Sequence, residues 1–292
     1  MIGLLIAGHG SADPAGAAQF RLLADRVGKR LAPEGVPVAG GFIELSPPPV
    51  RDAVTELVAA GADGLAAVPL VLVAAGHAKG DIPAALSREQ QRHRGLRVHY
   101  GRPLGPHPAI LTVLRQRLST AGADPQTTVL LIGRGSTDPD ANAEVAKLAR
   151  LLAETTRVAG VEYGFVSLTP PNVTAGLARC RRLGATRIVV LPYFLFTGVL
   201  PVRVADQTQV WADAHPSVRV SCADVIGDCD ELADVVLERY REALAGDIRM
   251  NCDTCLYRIP LPGHQHRVAA VRVPHHHPHD AATPPVPSHC VP

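Results

Sequence analysis

Leu5-Ile-Ala-Gly8-His9-Gly10-Ser11-Ala12-Asp13-Pro14 returns later in the chain as Leu130-Leu-Ile-Gly133-Arg134-Gly135-Ser136-Thr137-Asp138-Pro139, displaced by 125 residues. Three further landmarks repeat in the same order at nearly the same displacement. Phe42-Ile-Glu44-Leu-Ser-Pro47-Pro48 is echoed by Phe165-Val-Ser167-Leu-Thr-Pro170-Pro171. Gly61-Ala62 ahead of Leu65 to Pro69 is echoed by Gly184-Ala185 ahead of Ile188 to Pro192. Leu96-Arg-Val98 and Leu104-Gly105 are echoed by Val218-Arg-Val220 and Ile226-Gly227. Ordered self-similarity at a fixed interval is the signature of a duplicated unit.

The unit itself reads as alternating strands and helices. Ile2 to Ala7 and Leu65 to Val73 are continuous apolar runs of strand length, and Val36 to Ile43 and Leu96 to Tyr100 read as two more strands. Between them, Ala15 to Leu31, Val50 to Ala60, a segment opened by Asp81-Ile82-Pro83, and Pro108 to Ala121 carry helical patterning. Strands that are apolar throughout, separated by helices, form a parallel sheet covered on both faces. The predicted architecture is therefore α/β, with two duplicated domains over 1–123 and 124–246 and a Cys-, His- and Pro-rich tail over 247–292. That tail is too poor in apolar residues to build a core and is expected to be mostly disordered.

Composition excludes several classes of function. The chain has 292 residues, a formal net charge of +2 and 4% aromatic residues. A nearly neutral balance and scarce aromatics argue against a nucleic-acid partner. No apolar stretch approaches the ~20 residues that span a bilayer, so no membrane partner is expected. The six-residue run Ile2 to Ala7 lacks a preceding basic segment, and a cytoplasmic protein is expected. Six cysteines are too few for a disulfide framework in a chain of this length.

The two copies serve as controls for each other. His9 is replaced by Arg134, Glu44 by Ser167 and His77 by Leu200. Each position lies just beyond the C-terminal end of a predicted strand, the edge at which open α/β sheets bind ligands. Taken singly, each has an ordinary structural reading: a loop histidine bonded to backbone, a surface acid, a helix-capping histidine. Their joint placement and joint loss favour a functional set in the first domain. Two imidazoles and a carboxylate suit a borderline divalent metal such as cobalt, nickel, iron or zinc, and equally suit proton transfer near neutral pH. Gly8-His9-Gly10-Ser11 matches neither a dinucleotide fingerprint nor a hydrolase nucleophile elbow.

These motifs, together with Pro69-Leu-Val-Leu-Val-Ala-Ala-Gly76-His77 and the following Asp81-Ile82-Pro83, resemble the class II chelatases of the CbiX type in their two-domain form. The resemblance covers about residues 1–245. It implies insertion of a divalent metal into sirohydrochlorin, with release of two protons. Co²⁺ is the favoured substrate metal, as in cobalamin biosynthesis; Fe²⁺, as in siroheme biosynthesis, and Ni²⁺ are the alternatives. His9, His77 and Glu44 would bind the incoming metal or act as base, with those roles undivided. Sirohydrochlorin is rich in carboxylates, so Arg134, Arg51, Lys79 and Arg203 are candidate substrate-binding cations.

Met250-Asn-Cys252-Asp-Thr-Cys255 resembles the M-x-C-x-x-C motif of the long cobalt-inserting form, associated there with an iron–sulfur centre. A cluster usually takes four thiolates, so a second copy of the chain in a homodimer is one source of the missing pair; a zinc site is the rival. His275, His276, His277 and His279 read as a low-affinity metal-capture stretch. A non-catalytic metal carrier or sensor, built on that tail, is the competing class of function.

Overall fold

The computed structural model describes residues 1–246. Eight strands form two separate four-stranded sheets, each parallel throughout. The first holds β1 (Ile2–Gly8), β2 (Val38–Phe42), β3 (Gly64–Pro69) and β4 (Arg97–Tyr100) in the order β2-β1-β3-β4. The second holds β5 (Thr128–Gly133), β6 (Gly160–Phe165), β7 (Arg187–Pro192) and β8 (Arg219–Cys222) in the equivalent order β6-β5-β7-β8. The strand expected to run to Val73 stops at Pro69, where the chain turns over the sheet edge and the Leu70 amide donates to the Ala7 carbonyl at 2.7 Å.

The repeated Asp-Pro is a helix start. Asp13 accepts from the Ala15 amide at 2.9 Å and caps α1 (Pro14–Leu31), and Asp138 accepts from the Asp140 amide at 3.1 Å and caps α5 (Pro139–Thr155). Proline at the first helical position costs nothing there, because its missing N–H would have had no partner.

Alternation along the strands sorts the apolar side chains into separate cores. Leu5, Ala7, Leu65 and Ala67 face outward onto α2 (Val50–Ala59) and α3 (Ile82–Arg92). Leu130, Ile132, Ile188 and Val190 face outward onto α6 (Val173–Arg182) and α7 (Val199–Asp213). The opposite faces share one central core, which contains Leu4, Ile6, Leu131 and Leu191 together with residues of α1, α4 (Pro108–Thr120), α5 and α8 (Asp230–Ala245).

Within that core the last helices of the two repeats are exchanged. α8 lies against β3 and β4 of the first sheet, and α4 lies against β7 of the second. An arginine secures each crossing. Arg239 on α8 donates to the carbonyls of Pro103 (3.2 Å) and Leu104 (3.0 Å), and Arg117 on α4 donates to those of Val225 (2.9 Å) and Ile226 (2.6 Å). These are equivalent positions in the two repeats. Arg239 is 1% exposed and also pairs with Glu238 and Glu242. The sequence repeat and the packed halves therefore differ: each half takes its closing helix from the other.

Removing a buried charged partner leaves the rest uncompensated, at a cost of about 3–5 kcal/mol. Arg239→Ala is expected to lower stability by about that amount in urea unfolding, and Arg117→Ala, at a half-buried position, by less. A loss below about 1 kcal/mol for Arg239→Ala would show that the crossing does not depend on its arginine.

Candidate metal-binding cleft

The sheet order explains why three distant residues meet. β1 lies between β2 and β3, so the loops leaving these strands emerge side by side at one edge. His9 follows β1, Glu44 follows β2, and His77 opens a single π-helical turn, His77–Asp81, after β3. The strand order diverges on either side of β1, which opens a crevice at that edge.

Gly10 makes the approach between the first two loops close enough. Its φ is +105°, and a Cβ there would overlap the Glu44 carbonyl oxygen; Gly135 stands in the same relation to Ser167. The Glu44 amide donates to the His9 carbonyl at 3.0 Å, and the Ser167 amide to the Arg134 carbonyl at 3.0 Å. The scaffold is thus identical in the two halves, and the side chains differ.

The ligand atoms of His9, Glu44 and His77 all lie within 4.8 Å of one another. His9 Nε2 is 2.9 Å from Glu44 Oε1, and the two imidazole rings meet edge to face with centroids 4.2 Å apart. His9 Nδ1 is 3.2 Å from the Gly10 carbonyl and His77 Nδ1 is 2.7 Å from Asp81 Oδ2. Asp81 only accepts, so His77 Nδ1 carries the hydrogen and the Nε2 of the neutral ring keeps its lone pair, whereas His9 faces an acceptor at each nitrogen, the Gly10 carbonyl at Nδ1 and the closer Glu44 carboxylate at Nε2. A ring nitrogen and a carboxylate oxygen at 2.9 Å share a hydrogen, whose place a metal ion bound by both would take. Asp81, 8% exposed in its side chain, fixes the His77 tautomer in the way carboxylates orient metal-binding histidines. The counterparts of His77 and Asp81 are Leu200 and Val204, so the second half lacks the pair as a unit.

Burial, with the nearby His77 and Arg134 adding to it and Glu44 opposing, pushes the His9 imidazole down to about 4. His9 therefore stays neutral, and able to ligate a metal, well below the ordinary histidine range. A cleft of about 560 Å³ is lined by His9 and His77 and by residues of both halves. Its walls are largely apolar, with Leu72, Val73, Leu168, Phe196 and Leu200 among them, and Arg134 and Leu45 stand at its rim. Leu45 and Leu168 are repeat counterparts, both exposed and both at positive φ (64° and 66°).

Of the four expected substrate-binding cations, only Arg134 lines this cleft. Lys79 is corrected to a structural role: its side chain is 7% exposed and its ammonium pairs with Asp138 at 2.8 Å and Asp140 at 3.2 Å. Arg51 pairs with its neighbour Asp52 on the exposed side of α2. Arg203 lies in a separate shallow depression with Asp13 and Asp206. Cys252, Cys255, His275, His276, His277 and His279 lie outside the described residues. Sequence reading missed the orienting role of Asp81, although its spacing of four from His77 on a helical turn was a usable signal. It also missed the leucine pair, which carries no chemical signature.

Fold and site together define a duplicated α/β protein that brings His9, Glu44 and His77 together as a candidate metal site among the described residues. The chain belongs to the CbiX family, whose model matches it twice, over residues 3–121 and 128–243. It is 36% identical over 269 residues to a sirohydrochlorin cobaltochelatase of Priestia megaterium, covering 90% of this chain and 87% of that one. A sirohydrochlorin ferrochelatase of the same organism is 31% identical over 241 residues, covering 81% and 88%. Among solved structures, SirB from Bacillus subtilis with Fe³⁺ superposes with a TM-score of 0.73 at 30% identity, covering 84% of this chain and 96% of that one. No helix among the described residues is long and apolar enough to cross a membrane.

The depressed basicity of His9 has a direct test. Followed by NMR of the metal-free protein, His9 is expected to titrate near 4 rather than at the ordinary 6.5. His77→Ala removes a repelling charge and should raise that midpoint; Glu44→Gln removes an attracting one and should lower it. The unfolded chain binds more protons at His9 across this window, so His9 makes folding less favourable as pH falls through it. A wild-type midpoint at or above about 6 would contradict the burial argument.

Proposed function

We propose that this protein inserts Co²⁺ into sirohydrochlorin. The observation that carries the proposal is the convergence of His9, His77 and Glu44, whose candidate ligand atoms lie within 4.8 Å of one another beside a largely apolar cleft. The metal is a substrate here, held only until the macrocycle's four nitrogens replace the protein ligands. The cleft walls receive the flat apolar faces of the ring, and Arg134 at the rim meets its peripheral carboxylates.

The chemistry is an exchange of cations. As the metal passes to the macrocycle, two N–H protons must leave it. His9 Nε2 and Glu44 Oε1, facing each other across 2.9 Å, take the first proton between them. The weakened basicity of His9 returns it to water and resets the pair. The second proton leaves through the vacated His77 Nε2, whose tautomer Asp81 has already fixed. Neutral imidazoles are required before metal uptake, and the burial of His9 supplies one over a wide pH range.

Cobalt is preferred over iron on the following ground. An alignment covering 90% of the chain must extend past residue 255, so the similarity to the cobaltochelatase includes the Cys252–Cys255 segment. Fe²⁺ is the second reading, favoured by the ferrochelatase similarity over 81% of the chain. Cys252 and Cys255 supply two of the four thiolates of an iron–sulfur cluster, and we assign them to such a site, or to zinc, completed by a second copy of the chain in the cytoplasm.

The test is metal insertion followed by the absorbance change of sirohydrochlorin with Co²⁺, Fe²⁺ and Ni²⁺. Loss of a positioned acid–base group typically costs 10²–10⁴-fold, so His9→Ala is expected to slow insertion by at least about 10²-fold, with Co²⁺ the fastest metal in the wild type. Metal binding without turnover for any of the three, and undiminished in His9→Ala, would overturn the proposal in favour of a carrier.

A further inference from the structure

The segment 74–81, which presents His77, is gripped by the other half of the molecule. The Ala74 amide donates to Glu144 Oε2 at 3.1 Å, and the Lys79 ammonium sits between Asp138 and Asp140. All three acids belong to α5 or its cap, in the second repeat. The side chains of Lys79, Asp138 and Asp140 are 7%, 6% and 2% exposed, so this is a desolvated ionic cluster rather than a surface pair.

The duplicated architecture again supplies a control. The equivalent segment of the second half is held by the equivalent helix of the first: the Thr197 amide donates to Gln19 Oε1 at 2.9 Å. There the acceptor is a neutral amide. Val202 stands where Lys79 would be, 52% exposed, and Ala15 stands where Asp140 would be. The backbone grip is thus common to both halves. The ionic grip occurs only on the segment that carries a histidine. A buried ion pair adds little net stability, and its best attested use is to fix one arrangement among several.

We propose that the second half, which has lost the metal ligands, serves the first as a charged clamp: Asp138, Asp140 and Glu144 hold Lys79 and the Ala74 amide, and so fix where His77 presents its Nε2. Lys79 lies two residues after His77, and Glu144 holds Ala74, three residues before it; both are positioning residues in this account and touch no metal themselves. The proposal rests on the reading of His9, Glu44 and His77 as the metal-delivery site.

The test uses the full-length protein and Co²⁺ alone, without macrocycle. The visible absorption of bound Co²⁺, taken as the difference between each protein and its His9→Ala derivative, isolates the cleft from any other cobalt site. Substitutions behind metal-binding histidines commonly cost 10–100-fold in affinity. Glu144→Leu and Lys79→Met are expected to weaken cleft binding by about tenfold and to shift its spectrum toward that of His77→Ala. The conservative variants Glu144→Gln and Lys79→Arg should restore most of the affinity. Gln19→Leu, which removes the same kind of hydrogen bond from the other half, should leave both affinity and spectrum unchanged. Should Lys79→Met fail to fold, the Glu144→Leu and Gln19→Leu pair decides alone. A folded Glu144→Leu protein with wild-type affinity and spectrum would overturn the clamp. A wild-type spectrum identical to that of His9→Ala would instead overturn the metal-site reading beneath it.

Discussion

A guanidinium in the middle of the molecule sets the relation between its two halves. Arg239 is buried where α8 crosses onto the first sheet, and its donors are spent on the Pro103 and Leu104 carbonyls and on Glu238 and Glu242. Arg117 does the same for α4 in the opposite direction. Because a buried charge without partners is costly, neither helix can leave its borrowed sheet without stranding polar groups. The exchange makes one shared core out of two repeats. It also ties together the two halves that line the cleft.

Upon this symmetric frame the chemistry is asymmetric. Gly10 and Gly135 bring equivalent loops into the same close approach, yet one loop pair presents His9 and Glu44 and the other presents Arg134 and Ser167. The His77–Asp81 pair is matched by Leu200 and Val204, and the Lys79 cluster by Val202 and Ala15. The candidate ligands, the orienting carboxylate and the ionic cluster all occur in one half and are replaced at the equivalent positions of the other. Burial then tunes what remains. His9 is neutral far below the usual range, which leaves its lone pair available for a metal rather than a proton.

Much of this was legible in the sequence because duplication turned one chain into a comparison. The apolar runs at Ile2, Leu65, Leu130 and Ile188 lie in the central strands, and the differences between the copies at 9, 44 and 77 pointed to three side chains that the fold brings together. The exchange of α4 and α8 was not legible, since a helix carries the same apolar face whichever sheet receives it. Lys79 was misread for a related reason. A lysine beside a site histidine looks like a substrate contact until the fold brings Asp138 and Asp140, some sixty residues away, onto its ammonium. Arg51 and Arg203 lie near the right loops in sequence, on α2 and α7, but neither lines the cleft. What periodicity conveys is which face of an element is buried; what it omits is the partner across the interface.

The central claim is that one metal-delivery site exists, in the first half, built from His9, Glu44 and His77. Anomalous diffraction at the cobalt edge, from crystals of the full-length protein soaked in Co²⁺, tests it most directly. The account predicts a cobalt peak bonded to the Nε2 atoms of His9 and His77 and to the Glu44 carboxylate, with no peak beside Arg134, Ser167 and Leu200. Cobalt bound at the equivalent edge of the second half, or absent from His9 while present elsewhere, would contradict it.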